Sequence, residues 1–218
     1  MTAVDAAIQT SPPRRSGHAA ALIVVAGLAL SGAALGALWV WLAPAIHTIT
    51  ALTRSGERAD AFLGREADNQ FVAAVIMIGL LSMLAVVSAV LVWQWRAHRG
   101  PGMATALWIG QIAAGAAAAG VGAALAHARY GTADHAGAQL SPDNRVQYFT
   151  EAPPVFVGHG PLQVAVTLLL PAALAALTYA MMTVATPRDD LGAWPPDHGQ
   201  AARPAQANAA VPTSSTRK

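Results

Sequence analysis

Four long apolar stretches dominate the pattern of hydrophobic and polar positions along the chain. They cover residues 19–43, 71–95, 103–126 and 162–185, and they contain no Asp, Glu, Lys or Arg. An α-helix needs about 20 apolar residues to cross the ~30 Å hydrocarbon core of a bilayer. The pattern therefore predicts an all-α membrane protein, a bundle of four transmembrane helices with two extracytoplasmic loops.

The composition fits this class of protein. Hydrophobic residues make up 55% of the chain and charged residues only 11%, whereas an average soluble domain has about 25% charged residues. A net charge of +2 gives no basic surface for nucleic acid. The chain has no cysteine, which excludes disulfide bonds and thiolate chemistry.

The spans divide the chain into a membrane domain and two tails. We expect a cytoplasmic tail over residues 1–18, the transmembrane domain over 19–186 and a second cytoplasmic tail over 187–218. The second tail is rich in Pro, Ala, Gln and Ser and has no apolar periodicity. Such a composition is typical of a disordered segment.

The first span could be mistaken for a secretory signal peptide, because Arg14 and Arg15 precede it. Its apolar run is about 25 residues long, whereas the apolar region of a signal peptide has roughly 7–15. We therefore expect a retained helix rather than a cleaved leader.

The arginines predict the orientation of the bundle. Arg14 and Arg15 precede the first span, Arg188 follows the fourth, and the link 96–102 (RAHRGPG) contains two arginines and no acid. Lys and Arg in short loops mark the cytoplasmic side of a membrane. We expect a multi-pass protein of the inner (plasma) membrane with both termini and this link in the cytoplasm.

Four tryptophans lie near the predicted ends of spans. Trp39 and Trp41 end the first span, and Trp93 and Trp95 end the second. Indole rings favour the headgroup level, with the apolar ring toward lipid and the N–H toward water. We predict that all four are interface anchors, although tryptophan pairs in a core would give the same pattern by chance.

The third span is rich in small residues, with eleven alanines and four glycines among its 24 positions. Small residues let helix backbones approach closely in a bilayer. The first span carries Gly32-x-x-x-Gly36, so we expect the third span to pack against it, with Gly32, Gly36, Gly115 and Gly120 at helix contacts. An alanine-rich, GC-biased genome that fills neutral sites would produce a similar composition.

The first long loop contains the segment SGERADAFLGREADNQF (55–71). Its apolar residues recur at three- and four-residue spacing, which predicts an amphipathic helix that extends the second span outward. Arginines alternate with its four acids, whereas sites for hard cations cluster oxygen ligands without competing guanidinium groups. We expect no metal ion here.

The segment YFTEAPPVFVGHGPLQ (148–163) raises the possibility of an acid–base pair, because Glu151 and His159 both precede the fourth span. Its Pro-Pro pair favours an extended backbone, and Pro161 suits the first turn of a helix. No GxSxG, HExxH or paired carboxylates accompany the two residues. We expect a packed helix entrance with no catalytic residue and no cofactor, and we keep Glu151 and His159 as weak functional candidates.

Three blocks of sequence carry a family resemblance: LWVWLAP (38–44), VWQWRAHRGPG (92–102) and YFTEAPPVFVGHGPLQ (148–163). They resemble a family of small actinobacterial, chiefly mycobacterial, conserved membrane proteins of unknown function. The similarity runs over residues 19–194. It implies four membrane helices in a bacterium with a rich cell envelope, and it supplies no activity and no site residues.

Three functions fit the sequence. The first is a non-enzymatic component of a cell-envelope transport or assembly complex, whose partners are the lipid bilayer and either other membrane proteins or copies of itself. The second is a small-molecule or lipid transporter that acts as an oligomer, which requires a polar cavity lined by Gln111 and the threonines of the spans. The third is a membrane enzyme that uses Glu151 and His159, which requires these side chains to meet in a cleft. We expect the first and predict that the protein is not an enzyme.

Overall fold

The computed structural model describes residues 16–158 and 160–187. In this part of the chain, four helices are long and apolar enough to cross a membrane, which indicates a multi-pass membrane protein. They are α1 (Gly17–Leu42), α2 (Ala67–Gln94), α3 (Pro101–Tyr130) and α4 (Pro161–Val184). All four predicted spans lie within these helices to within one residue at either end, and the predicted tails lie almost entirely outside the described residues.

Local signals explain where the helices begin. Ser16 precedes α1 and accepts a hydrogen bond on its side chain from the backbone N–H of Ala19 at 3.3 Å. Pro101 and Pro161 are the first residues of α3 and α4. A proline at this position loses no intrahelical hydrogen bond and has its backbone φ already set for a helix.

A small antiparallel sheet joins the two long connections of the bundle. Its strands are β1 (Ile46–Leu52), β2 (Arg58–Phe62) and β3 (Val146–Glu151), in the order β2-β1-β3. β1 and β2 lie between α1 and α2, whereas β3 lies between α3 and α4. The pairing of β1 with β3 therefore holds the two connections together at the same end of the bundle.

The predicted amphipathic helix is wrong over residues 55–66, whereas residues 67–71 are helical and form the first turn of α2. Gly56 has a φ of 86°, and its N–H donates to the carbonyl of Thr53 at 3.1 Å, which closes a turn. The chain then returns along β1 as Arg58–Phe62. Pairing with β1 satisfies the backbone of this segment and overrides its three- and four-residue apolar spacing. A second turn at Gly64, with a φ of 61°, precedes α2.

Close backbone contact joins α1 to α3. A Cβ atom on Gly32 would overlap the backbone of Ala114, and one on Gly36 would overlap the backbone of Ala118. Gly115 faces α4 instead, where a Cβ would lie 3.1 Å from the Cδ2 atom of Leu168. These three glycines thus lie where small residues permit close approach.

The expectation for Gly120 is wrong. This residue is exposed, and no heavy atom lies within 4 Å of the position that its Cβ would occupy. Two glycines of α3 that we did not predict lie at contacts in its place. A Cβ on Gly110 would meet Leu28 of α1, and one on Gly122 would lie 3.1 Å from the ring of Trp39.

The contact with Gly122 corrects one of the predicted interface anchors. Trp39 is fully buried, and its Nε1–H donates to the backbone carbonyl of Ala73 in α2 at 2.7 Å. It is a core residue that joins α1 to α2. Trp41 is 81% exposed, as expected for a side chain that anchors a helix at the membrane interface.

The other two tryptophans are half-buried at the opposite end of the bundle. Trp93 lies edge to face against Tyr179 of α4, with the Arg99 guanidinium 4.4 Å from its ring centre. Trp95 makes an edge-to-face contact with His98 in the short 3-10 turn Arg96–His98.

Candidate functional site

The strongest concentration of polar contacts lies on one face of the sheet. Ile46, Thr48 and Thr50 of β1 are buried and alternate with less buried neighbours. Residues directly opposite each other in an antiparallel pair project to the same side of the sheet. Thr48 is paired with Phe62 and Phe149, Thr50 with Asp60, and Ile46 with Glu151. We call the polar members of this face, together with His135 above it, the sheet cluster: Thr48, Thr50, Asp60, His135 and Glu151.

His135 joins the central strand β1 to the edge strand β3. Its Nε2 atom lies 2.7 Å from Glu151 Oε1, and its Nδ1 atom lies 3.0 Å from the Thr50 hydroxyl oxygen. Thr50 donates its hydroxyl proton to Asp60 Oδ1 at 2.6 Å. Thr48 donates to Glu151 Oε1 at 2.8 Å.

The hydrogen atoms of the sheet cluster can be assigned from this geometry. An ionised carboxylate only accepts, so Nε2 of His135 is the donor to Glu151. Thr50 has a single hydroxyl proton and gives it to Asp60, while its oxygen lies 3.0 Å from Nδ1 of His135. Hydrogen bonds that an ionised carboxylate accepts are stronger than neutral ones.

Further contacts hold the connection that carries His135 against the sheet. The Arg58 guanidinium donates to the backbone carbonyls of Ala136 at 2.5 Å and Ala138 at 2.9 Å. The ring of His135 lies edge to face on Phe149, with 4.7 Å between the ring centres. The sheet cluster therefore fixes an otherwise irregular segment, residues 131–145, across one face of the sheet.

Two adjacent rows on the opposite face of the sheet are apolar, and the next row holds His47 and Thr150. Ile49 is paired with Ala61 and Tyr148, and Ala51 with Ala59 and Val146. Tyr148 is 69% exposed and Val146 39% exposed, while both alanines of β2 are exposed. We call this set the apolar sheet face: Ile49, Ala51, Ala59, Ala61, Val146 and Tyr148. Its six side chains form two adjacent rows across all three strands.

A second histidine–carboxylate pair lies between the sheet and α2. The Glu66 carboxylate accepts from the backbone N–H of His47 at 2.5 Å, and Glu66 Oε2 lies 2.8 Å from Nδ1 of the same residue. The backbone hydrogen bond, aided by the contact with the ring, lowers the pKa of Glu66 below its ordinary value. Among the described residues, no three His, Cys, Asp or Glu side chains are grouped so that they could hold a metal ion.

The structure changes the partner of the predicted candidate Glu151. Sequence reasoning considered His159, which lies outside the described residues, whereas Glu151 contacts His135 and Thr48. Sequence reasoning missed His135, Thr50 and Asp60. One usable signal was the segment IHTIT (46–50), because four of its five residues are β-branched, which is typical of a strand.

A buried glutamine forms a polar bridge between two helices in the interior of the bundle. Gln111 of α3 is fully buried and donates to the hydroxyl of Ser88 in α2 at 2.7 Å. The hydroxyl groups of Thr167 and Thr178 donate hydrogen bonds to backbone carbonyls of their own helix. Three cavities lie at the ends of the helices, and none of these three is lined by Gln111.

Four long apolar helices with a small sheet at one end define a helical protein of membrane type. The chain belongs to the family described as protein of unknown function (DUF2567), which it matches over residues 28–193. This match confirms the predicted family.

Relatives of this chain come from mycobacteria. It is 50% identical to the uncharacterized protein Rv1591 of Mycobacterium tuberculosis over 170 residues, which cover 78% of this chain and 88% of that protein. It is 52% identical to the uncharacterized protein ML1222 of Mycobacterium leprae over 169 residues, which cover 78% of this chain and 85% of that one. No solved structure matches the chain.

Proposed function

We propose that this protein is a non-enzymatic component of a cell-envelope transport or assembly complex in the inner (plasma) membrane. It docks a second envelope protein through the apolar sheet face. The observation that carries this proposal is the contrast between the two faces of the sheet. One face is occupied by the sheet cluster and residues 131–145, whereas the other presents six apolar side chains.

The chemistry of the apolar sheet face suits a protein partner. Apolar patches with a polar surround are typical of interaction sites, and exposed tyrosine is enriched at such sites. Tyr148 lies in the middle position of β3 and supplies a large ring with a polar tip. A partner that covers it gains apolar burial and a hydrogen bond from the same side chain.

The sheet cluster supports this function indirectly. The contacts of His135 with β1 and β3, together with the hydrogen bond from Thr50 to Asp60 of β2, hold the three strands in one register. A surface that is already ordered loses less conformational entropy when a partner binds. We therefore assign Glu151 and His135 a structural part in presenting the apolar sheet face, rather than a part in catalysis.

The membrane bundle supports a packing component over a transporter. Gln111 donates through Nε2 to Ser88, while its buried Oε1 has no hydrogen-bond partner within the described residues. Thr167 and Thr178 donate to carbonyls of their own helix, so the three side chains are not linked into a shared polar path. Small residues bring α1 and α3 into backbone contact instead. The orientation that goes with this function puts both termini in the cytoplasm and the sheet outside, in accordance with the arginine distribution.

Photocrosslinking in living cells tests the docking proposal. A benzoylphenylalanine residue replaces Tyr148 in one strain and Asp143, which is exposed in the turn before β3, in a control strain. We expect a discrete crosslinked product, containing a second protein, at position 148 and no such product at position 143. If only lipid adducts form at position 148, the proposal is refuted. A product with twice the mass of the chain would show that the apolar sheet face binds a second copy of this protein instead of a different protein.

A further inference from the structure

Two cavities meet at the end of α3 that faces the sheet. One has a volume of about 420 Å³ and is bounded by α3, the segment 152–158 and α4. The other has a volume of about 320 Å³ and reaches from α3 to the sheet cluster. His127 and Ala152 line both, so the cavities share a wall. We call the two together the α3–α4 cleft.

The two halves of the α3–α4 cleft differ in chemistry. The larger half is lined mainly by apolar side chains: Ala123, Pro153, Pro154, Val155, Phe156 and Val164. The smaller half is lined by His135, Glu151 and Thr132 with backbone from neighbouring residues. Each volume lies within the range of roughly 300–1,000 Å³ that is usual for small-molecule sites. An amphiphile has this same division into an apolar and a polar part.

The polar half presents hydrogen-bond acceptors. His127 Nδ1 lies 2.8 Å from the carbonyl oxygen of Ala123. A carbonyl only accepts, so the proton of the neutral ring is on Nδ1 and Nε2 keeps its lone pair. In Glu151, the Oε1 atom accepts from His135 and Thr48, whereas no hydrogen bond to Oε2 is formed within the described part of the chain.

The charge of the cleft favours a neutral donor over a cation. Glu151 is the only acid that lines the cleft within the described residues, and its Oε1 atom already accepts from His135 at 2.7 Å and Thr48 at 2.8 Å. A ligand ammonium group that leaves water needs more compensation than one carboxylate shared with two other donors. A hydroxyl group donates to the same acceptor atoms without that cost.

We propose that the α3–α4 cleft binds a lipid with an uncharged, hydroxyl-bearing headgroup. A chain of the lipid lies along the apolar half, and headgroup hydroxyls donate to Glu151 Oε2 and His127 Nε2. The cleft lies at the end of two membrane-spanning helices, where the headgroups of a bilayer are found. It adjoins the face of the sheet opposite the apolar sheet face, so this site goes beyond the docking function and is tested separately from it.

Native mass spectrometry of the full chain tests the lipid site. The protein is purified in an amine-oxide detergent, which has no sugar headgroup, and is offered three lipids with identical acyl chains. These are monoglucosyl diacylglycerol, phosphatidylethanolamine and phosphatidylglycerol. We expect the glucosyl lipid to be retained roughly tenfold better than phosphatidylethanolamine, since two additional hydrogen bonds to the cleft give a difference of that order. Equal retention of all three, or preference for a charged headgroup, would overturn the proposal.

Matched variants test whether the retained lipid is bound in the α3–α4 cleft. Val164→Trp fills the apolar half and should remove the retained glucosyl lipid, whereas Val166→Trp, two residues along α4 and exposed, should leave it unchanged. His127→Phe removes the Nε2 acceptor without touching the sheet cluster, and it should lower retention several-fold. If Val164→Trp and His127→Phe both retain the lipid as well as the wild type does, the lipid binds elsewhere and the proposal fails.

Discussion

Glu66 receives both of its hydrogen bonds from a single residue. The backbone N–H and the ring of His47 meet its carboxylate at 2.5 and 2.8 Å, just before α2 begins. His47 lies in β1, and Glu66 lies directly before the membrane helix α2. The contact therefore fastens the sheet to the bundle.

This contact predicts a pH dependence of stability. The pKa of Glu66 is lowered from 4.5, so the stabilisation is present above 4.5 and is lost as the pH falls through the folded-state pKa. In Glu66→Gln the unfolding midpoint in detergent should be lower than that of the wild type at about pH 7. The difference should shrink steadily as the pH is lowered past 4.5, because the protonated wild-type residue also lacks the charge.

A neighbouring carboxylate provides the control. Asp68 pairs with Arg65 at 3.8 Å, and both side chains are mostly exposed. Ion pairs of this kind contribute little to stability, so Asp68→Asn should melt close to the wild type at either pH. A Glu66→Gln difference that stays constant from neutral to acid pH would contradict the assignment.

Glu151 shows what can be predicted from the sequence about a single residue and what cannot. An acid beside a Pro-Pro pair can be recognised as unusual, because its surroundings in the chain are themselves unusual. Its partner His135 cannot be found in this way, since the irregular segment between them has no period that fixes a distance. The contact depends on Arg58 holding backbone carbonyls of that segment from another strand.

At the scale of elements, the packing of α1 on α3 depends on the absence of side chains at a few positions. Gly32 and Gly36 lie against the backbone of Ala114 and Ala118, so even a methyl group has no room there. Gly120 lies on the same helix as the alanines but faces outward. The two kinds of glycine give opposite expectations for the same substitution.

Gly32→Ala should destabilise the bundle by about 1–3 kcal/mol, the usual cost of overpacking. Gly120→Ala should be neutral or should stabilise the protein by up to about 1 kcal/mol, because alanine has the higher helix propensity. Unfolding by titration with a denaturing detergent, followed by circular dichroism, compares the two variants with the wild type. Equal midpoints for Gly32→Ala and Gly120→Ala would show that the α1–α3 contact is not tight.

The helices could be predicted, whereas the pairing of the strands could not. Four runs of apolar residues of bilayer length have no common alternative, and Ser16, Pro101 and Pro161 mark where three of the helices begin. The segment at Arg58–Phe62, by contrast, has an apolar spacing that fits a helix. Its strand conformation comes from pairing with β1, a tertiary contact that local periodicity does not reveal.

At the scale of the whole molecule, pairing of β1 with β3 limits the possible topologies. The connections that contain these strands must lie on the same side of the membrane, and the turn Arg96–His98 lies at the other end of the bundle. The sheet does not determine which side faces the cytoplasm. The arginines of the link 96–102 favour the cytoplasm for that link.

Cysteine labelling tests this orientation, because the chain contains no native cysteine. Single cysteines at Ser55, Asn144 and His98 are treated with a membrane-impermeant thiol reagent in intact cells. We expect labelling at positions 55 and 144 and none at 98 until the cells are opened. Labelling at position 98 alone would show that the orientation is the opposite one. Different results at positions 55 and 144 would contradict the pairing of β1 with β3, which puts both positions on one side of the membrane.

The same strand pairing sets the order in which the protein can be completed during synthesis. Thr48 and Glu151 are hydrogen-bonded although 103 positions separate them. At roughly 5–20 residues per second, the ribosome needs on the order of 5–20 s to add that much chain. During this interval β1 has an unpaired edge while α2 and α3 are being made. The nascent protein thus passes through a stage in which its half-built sheet is open to proteases and to wrong strands, and only the late arrival of β3 ends that stage.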